Sequence, residues 1–327
     1  MVVTASAAKR PHPGARPINL NTDIPQILKL LEICFGTQVG FEGQHFYTGS
    51  GGAMQQPAFL WRLNPAAQKL SLGFVWEENG RIVGNVTVLT TQIPGRFLVV
   101  NVAVHPDQRR RGVARQLMHN VHQMVHDRNG SEIMLQVVKS NESAVNLYNT
   151  LQYTSLGSMT SWYAPVSRLR QPLPAQDNNQ EPSIRELRRQ EWREAYHLDL
   201  SVLPPDLHWP EPPEPNMYKS GFWRKTVDFF NGRSMENWVA TQNKQLTGLA
   251  TILSEWGRTH VAGIRVHPEW QGQLERPLLA KLIRRLYYLP RRNVRIDHPD
   301  NDTYTGELLR EANFQPKRTL THMRLKL

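Results

Sequence analysis

Three segments from the first half of the chain recur, in the same order, in the second half. Glu78 to Leu89 (ENGRIVGNVTVL) aligns with Gln242 to Leu253 (QNKQLTGLATIL) at an offset of 164 residues. Val102 to Asp107 (VAVHPD) aligns with Ile264 to Glu269 (IRVHPE) at 162, and Leu147 to Tyr153 (LYNTLQY) with Leu308 to Phe314 (LLREANF) at 161. A nearly constant offset over three ordered matches is the signature of a duplication, so the chain must fold as two copies of one plan. Its 327 residues suit that, at roughly 150 per domain.

Composition removes several classes. The single cysteine, Cys34, allows no internal disulfide and no Cys-rich zinc site. The longest apolar stretches, such as Phe97–Val100, are far too short to span a bilayer. The N-terminal segment lacks the apolar core of a secretory signal, so the expectation is a cytoplasmic protein without membrane contact. The formal charge of +11 is spread over short clusters, Arg109–Arg111, Arg185 to Arg193, Arg284 with Arg285, and Arg291 with Arg292. Such clusters read as solvated surface plus one small anionic ligand. A nucleic-acid partner is disfavoured, because basic and aromatic residues are not interleaved.

The organisation follows from punctuation and period. Residues 1–17 read as a flexible tail and 18–165 as the first unit. Residues 166–182 fall in a stretch with four prolines and read as a linker; 183–327 form the second unit, interrupted by a Pro-rich loop at 203–215. In the first unit, Ile24–Phe35 has helical spacing, and Asn79-Gly80 turns a hairpin with strands near 72–77 and 81–90. Phe97–Val104 is β-branched and reads as a central strand, followed by a helix at Val113–Val125 and a strand at Glu132–Val138. A helix at Ser143–Leu151, with Ala144, Leu147 and Leu151 inward, precedes two meander strands ending near Ala164. The class is α+β: a mixed, mostly antiparallel sheet flanked by helices.

The chemistry concentrates after the central strand. Gln108, Arg109, Arg110, Arg111, Gly112, Val113, Ala114 and Arg115 make a basic turn that opens a helix. Free N–H groups and the positive end of the helix dipole suit such a turn to phosphate, and Gly112 and Ala114 let the backbone approach it. Read alone, the segment is equally a surface loop with a good helix start. His119, His122 and His126 fall at i, i+3 and i+7 on that helix; opposite its apolar stripe they read as a solvated face, not a metal site. The segment 35–61 is rich in glycine and aromatics, and Phe41, Phe46, Tyr47 and Trp61 read as pocket walls or core.

Arg109-x-x-Gly112-x-Ala114 after a Val-x-Val-x-Pro strand resembles the acetyl-CoA motif of the GNAT acetyltransferases. Asn141-x-x-Ala144-x-x-Leu147-Tyr148 is similar to that family's second motif, with Gln152-Tyr153 in place of its usual Gly-Phe. The resemblance covers residues 18–165 clearly and 183–327 faintly, and implies two tandem GNAT folds. It implies that the backbone of Val102, Ala103 and Val104 pairs with the pantetheine arm and polarises the thioester carbonyl. The pyrophosphate would rest on the amides of Arg109 to Arg115, Asn141 would contact pantetheine, and Tyr148 would protonate the leaving thiolate. The positions facing the amine are Leu98 and Asn101, which are not carboxylates. Glu42, His45, Glu77 or Glu78 could act as base through a water, and a neutral amine would need none.

In the second unit position 112 becomes Leu274, 114 becomes Arg276 and 148 becomes Leu309, so phosphate approach would clash and the acid is lost. The resemblance therefore implies one acetyl-CoA-dependent N-acetyltransferase unit and one degenerate unit. Transfer would be by direct attack of a primary amine in a ternary complex, with a small-molecule acceptor favoured over a protein and with no metal. The alternative is a non-catalytic CoA-binding sensor or scaffold.

Overall fold

The computed structural model describes residues 13–48, 72–172, 183–210, 212–219, 232–243 and 245–327; for 37–48 it describes the backbone alone. Phe41, Glu42, His45, Phe46, Tyr47 and Trp61, named above as pocket walls or base, lie outside the described side chains. No helix among the described residues is long and apolar enough to cross a membrane.

Two compact units are present. The first holds residues 1–136, 143–154 and 323–327, and the second 137–142 and 155–322. The elements of the N-terminal repeat are β1 (Gly14–Pro17), α1 (Ile24–Thr48), β2 (Leu72–Glu78), β3 (Arg81–Thr90), β4 (Arg96–Val104), α2 (Val113–Asp127), β5 (Glu132–Val138), α3 (Glu142–Thr150) and β6 (Thr154–Pro165). Among the described residues the same succession of nine follows: β7 (Ile184–Glu186), α4 (Trp192–Val202), β8 (Arg233–Gln242), β9 (Gln245–Glu255), β10 (His260–Val266), α5 (Glu275–Leu286), β11 (Asn293–Pro299), α6 (Thr303–Glu311) and β12 (Gln315–Lys326).

In the first unit the strands lie in the order β1-β2-β3-β4-β5, antiparallel except for the pair β4 and β5. In the second the order is β7-β8-β9-β10-β11-β6-β12, with β10 and β11 the parallel pair. The duplication reaches the backbone. Left-handed residues recur at Asn79 and Asn243, at Arg110 and Gly272, and at Gln152 and Asn313, each pair at its sequence offset. The hydrogen bond from His105 N–H to the Val83 carbonyl has its counterpart from His267 to Thr247, both 2.8 Å.

Packing explains which elements form. Helix α2 buries Val113, Leu117, Met118, Val121 and Val125, a stripe at helical period; α5 buries Leu278, Leu279, Leu282, Ile283 and Leu286. In α1 the buried residues are Ile24, Ile27, Leu30 and Leu31, and the helix kinks at Gly36, where φ is +74°.

Three sequence expectations change. Residues 14–17 are not tail: Arg16 pairs with Asp23 and Glu77 at 2.6 Å each, which ties β1 to the edge of β2. In α3 the buried side chain is Tyr148, while Ala144 and Leu147 are half-buried; Leu151, just past the end of the helix, is buried as expected. The stretch expected as two closing strands is the single strand β6, and it pairs with β11 from Met159 to Pro165.

Candidate active site

Strand β4 is bent at one point. Thr87 pairs with Val100 and Asn85 with Ala103, so Asn101 and Val102 together oppose Val86. This bulge needs a left-handed residue, and Asn101 supplies it at φ +54°. Asn85, fully buried, donates from Nδ2 to the Asn101 carbonyl at 2.8 Å and to Thr87 Oγ1 at 3.3 Å. The parallel ladder of β4 with β5 runs from Arg96 to Val99 and stops there. Val100 to Val104 therefore present a strand edge without a ladder partner on that side among the described residues. Ala103 on this edge is buried, and Val102 and Val104 are half-buried.

The turn after β4 holds two left-handed residues, Arg110 at φ +63° and Gly112 at +79°. Gly112 is the N-cap of α2 with no side-chain cap, and a Cβ built on it would meet nothing within 4 Å. The N–H groups of Val113, Ala114 and Arg115 have no acceptor within their own helix, so they face the space that Gly112 leaves open. The result is a concave set of donors with the positive end of α2 behind it.

The surrounding cations are partly tethered. Arg109 Nε donates to the Val104 carbonyl at 3.2 Å, Arg111 donates to Gln108 Oε1 and lies 3.7 Å from Glu78, and Arg115 donates to Thr150 Oγ1 at 3.1 Å. Arg110 is exposed and has no side-chain partner among the described residues. Glu77 and Glu78, two of the candidate bases, are thus engaged by Arg16 and Arg111. Leu98 is buried and Asn101 is held in the bulge.

Tyr148 is 5% exposed, and its ring lies edge-on to that of Tyr153 with centroids 5.8 Å apart. Burial pushes both phenols up, so Tyr148 stays protonated throughout the neutral range. Tyr153 Oη lies 3.1 Å from His122 Nε2, and burial, with His119 adding to it, pushes His122 down to about 4. His122 is therefore no part of a solvated face. It follows Met118 by four residues and lies at the margin of the buried stripe, a signal that was present in the sequence. Among the described residues no three His, Cys, Asp or Glu side chains gather as a metal site would require. Asn141 is exposed just before α3, with its N–H bonded to the Val138 carbonyl at 2.8 Å. Cys34, which the sequence marks only by its singularity, donates to the Val104 carbonyl at 3.4 Å, beside Arg109.

The corresponding turn of the second unit keeps Gly272 left-handed at φ +82°, but Leu274, in the place of Gly112, has φ −100°. Its side chain does not lie over the turn as the expected clash required. It is 2% exposed within the apolar core beside Leu278. Arg276 pairs with Glu311 at 2.8 Å, and Leu309 is fully buried.

The acetyltransferase (GNAT) family matches residues 41–153, which hold the bulged strand, the basic turn and Tyr148. That stretch is thus similar to the GNAT acetyltransferases. The peptidyl-lysine N-acetyltransferase YiaC of Escherichia coli (strain K12) is 36% identical over 75 residues, 23% of this chain and 44% of that protein. The match thus spans less than half of the curated relative. The fold similarity extends over both repeats. The GCN5-related N-acetyltransferase from Sphaerobacter thermophilus superposes with a TM-score of 0.59 at 18% identity, over 95% of each chain. A tandem GNAT protein from the clavulanic acid biosynthesis pathway superposes with a TM-score of 0.50 at 14% identity, over 96% of this chain and 98% of that one. The fold is therefore that of two GNAT units in tandem.

Proposed function

We propose that the chain is an acetyl-CoA-dependent N-acetyltransferase whose first unit holds the cosubstrate. The observation that carries the reading is the open donor turn at Gly112, set at the end of a bulged strand whose edge is unpaired. The pyrophosphate accepts from the amides of Gly112, Val113, Ala114 and Arg115, with Arg109, Arg110 and Arg111 adding charge. The pantetheine arm lies along Val102, Ala103 and Val104 as an added strand, with Asn141 a further contact. An N–H of that edge donates to the thioester oxygen as negative charge develops there.

The amine nitrogen attacks the thioester carbon, the C–S bond breaks, and the thiolate takes the Tyr148 phenolic proton. The attacking nitrogen releases its own proton to solvent, and an acceptor that arrives neutral needs no carboxylate. A small-molecule amine suits this better than a protein; the relative's peptidyl-lysine acceptor is the second reading, since that protein is 36% identical over 75 residues. The second unit keeps the fold without the open turn or the acid, so one CoA binds per chain.

Calorimetry with CoA tests this directly. The expected result is one site per chain, abolished by Gly112→Glu, which adds bulk and negative charge at the turn. Unchanged affinity in that variant overturns the site, and bound CoA without acetylation of any amine in a mass-detected panel favours a sensor or scaffold.

A further inference from the structure

The second unit contains a cavity of about 340 Å³, at the lower end of small-molecule sites. It opens where β10 and β11 part, since their parallel ladder runs only from His260 to Ala262. Ile264, Arg265, Glu275, His298, Asp302 and Tyr304 are among its walls.

Its polar groups are arranged in a particular way. Glu275 opens α5 and is 3% exposed; burial pushes its carboxyl up, and the backbone N–H groups of Glu275, Gly272 and Leu274 oppose that shift by favouring the carboxylate. Leu274 and Glu275 stand where Gly112 and Val113 do in the first unit, and Gly272 where Arg110 does. The chain's own carboxylate thus takes the place of an external anion, and its Oε2 is buried with no partner among the described residues. Opposite in chemistry but equally unsatisfied is His298, 7% exposed. Its Nε2 lies 2.8 Å from Asp302 Oδ2, which makes Nε2 the protonated nitrogen, while Nδ1 is buried without a partner among the described residues. An imidazole so fixed offers a lone pair at Nδ1.

The charge balance has one sign. Arg265 is neutralised by the buried Asp199 at 2.7 Å, and Asp199 also accepts from Tyr218. Burial keeps His298 neutral. Glu275 and Asp302 remain as the uncompensated acids on the walls. Two buried acceptors without donors in an anionic cavity call for a ligand rich in N–H groups, and a polyphosphate would meet the Glu275 carboxylate where it needs amides.

We propose that this cavity binds a compact primary amine in its ammonium form, which donates to Glu275 Oε2 and His298 Nδ1. The site is distinct from the cosubstrate site of the first unit, and its existence does not depend on the activity assigned there.

Short aliphatic primary amines, butylamine and butane-1,4-diamine, are the probes, with butyramide and inorganic pyrophosphate as controls. Calorimetry on the full chain saturated with CoA should show amine binding that falls at least tenfold in both Glu275→Gln and His298→Leu. In the wild-type protein the His298 ¹⁵Nδ1 resonance should shift with saturating amine and stay fixed with either control. That measurement needs no variant to fold. No amine binding up to about 10 mM, wild-type affinity retained in both variants, or an unmoved His298 resonance overturns the proposal. A shift produced by pyrophosphate instead would overturn it too, and would assign the cavity to anions.

Discussion

The Asn85 side-chain amide donates to the Asn101 main-chain carbonyl at 2.8 Å, and so clamps the left-handed residue that bends β4. Asn85 is fully buried, and its amide has no water to fall back on. Asn85→Leu should leave the Asn101 carbonyl unpaired and cost about 1–3 kcal/mol of stability. If the bend sets the strand edge for pantetheine, CoA affinity should fall as well. Chemical denaturation with calorimetry on one sample reads both; unaltered affinity in a destabilised protein would uncouple the bulge from the site.

Gly112 separates backbone from bulk. Space around it is open, so Gly112→Ala should be tolerated sterically and penalised by its φ of +79° alone. A loss of roughly 1–2 kcal/mol is expected from the left-handed conformation. Gly112→Asn, which adopts that conformation readily, should recover part of it. Thermal melts of the three proteins without CoA make the comparison.

Tyr148→Phe should keep CoA affinity and lower kcat by roughly 10²-fold with the best acceptor, the scale of one general acid. Because burial already holds the phenol protonated, the wild-type rate should show no fall through the ordinary phenol range attributable to this group. Undiminished turnover in the variant would leave water as the donor.

His122 links stability to pH. Its folded form stays neutral down to about 4, while an unfolded ring titrates near 6.5. Below that value the unfolded chain takes up a proton that the folded one refuses. The stability involved is complete above about 6.5 and is lost as pH falls towards 4, amounting to roughly 1–2 kcal/mol once partial solvent screening is allowed for. His122→Gln, which can still bond Tyr153, should flatten that slope in urea titrations between pH 4 and 7.

The duplication was legible because turn residues cannot drift without changing the backbone: Asn79 and Asn243, and Gln152 and Asn313, hold left-handed positions that fix the offsets. The basic turn was legible for the same reason, through Gly112. The bulge was not, since Asn101 in a run of β-branched residues carries no signal of its own until Asn85 is placed beneath it. Glu275 was hidden because its role depends on three amides of its own turn, not on any spacing of residue types. Leu274 is not the obstruction that its size suggests, because its side chain turns inward to the core and leaves the turn to its neighbour.

The distribution of residues between the units bears on how the protein is made. Residues 323–327 belong to the first unit, where Leu327 N–H bonds to the Ser131 carbonyl and Thr154 Oγ1 donates to the Arg324 carbonyl. Residues 155–165, from the N-terminal repeat, belong to the second. A ribosome that has finished the first repeat has therefore not yet supplied everything the first unit contains. That unit reaches its final hydrogen bonding only after residue 327 has been added, and a cut in the proline-rich stretch would leave each fragment short of a strand segment that the other carries.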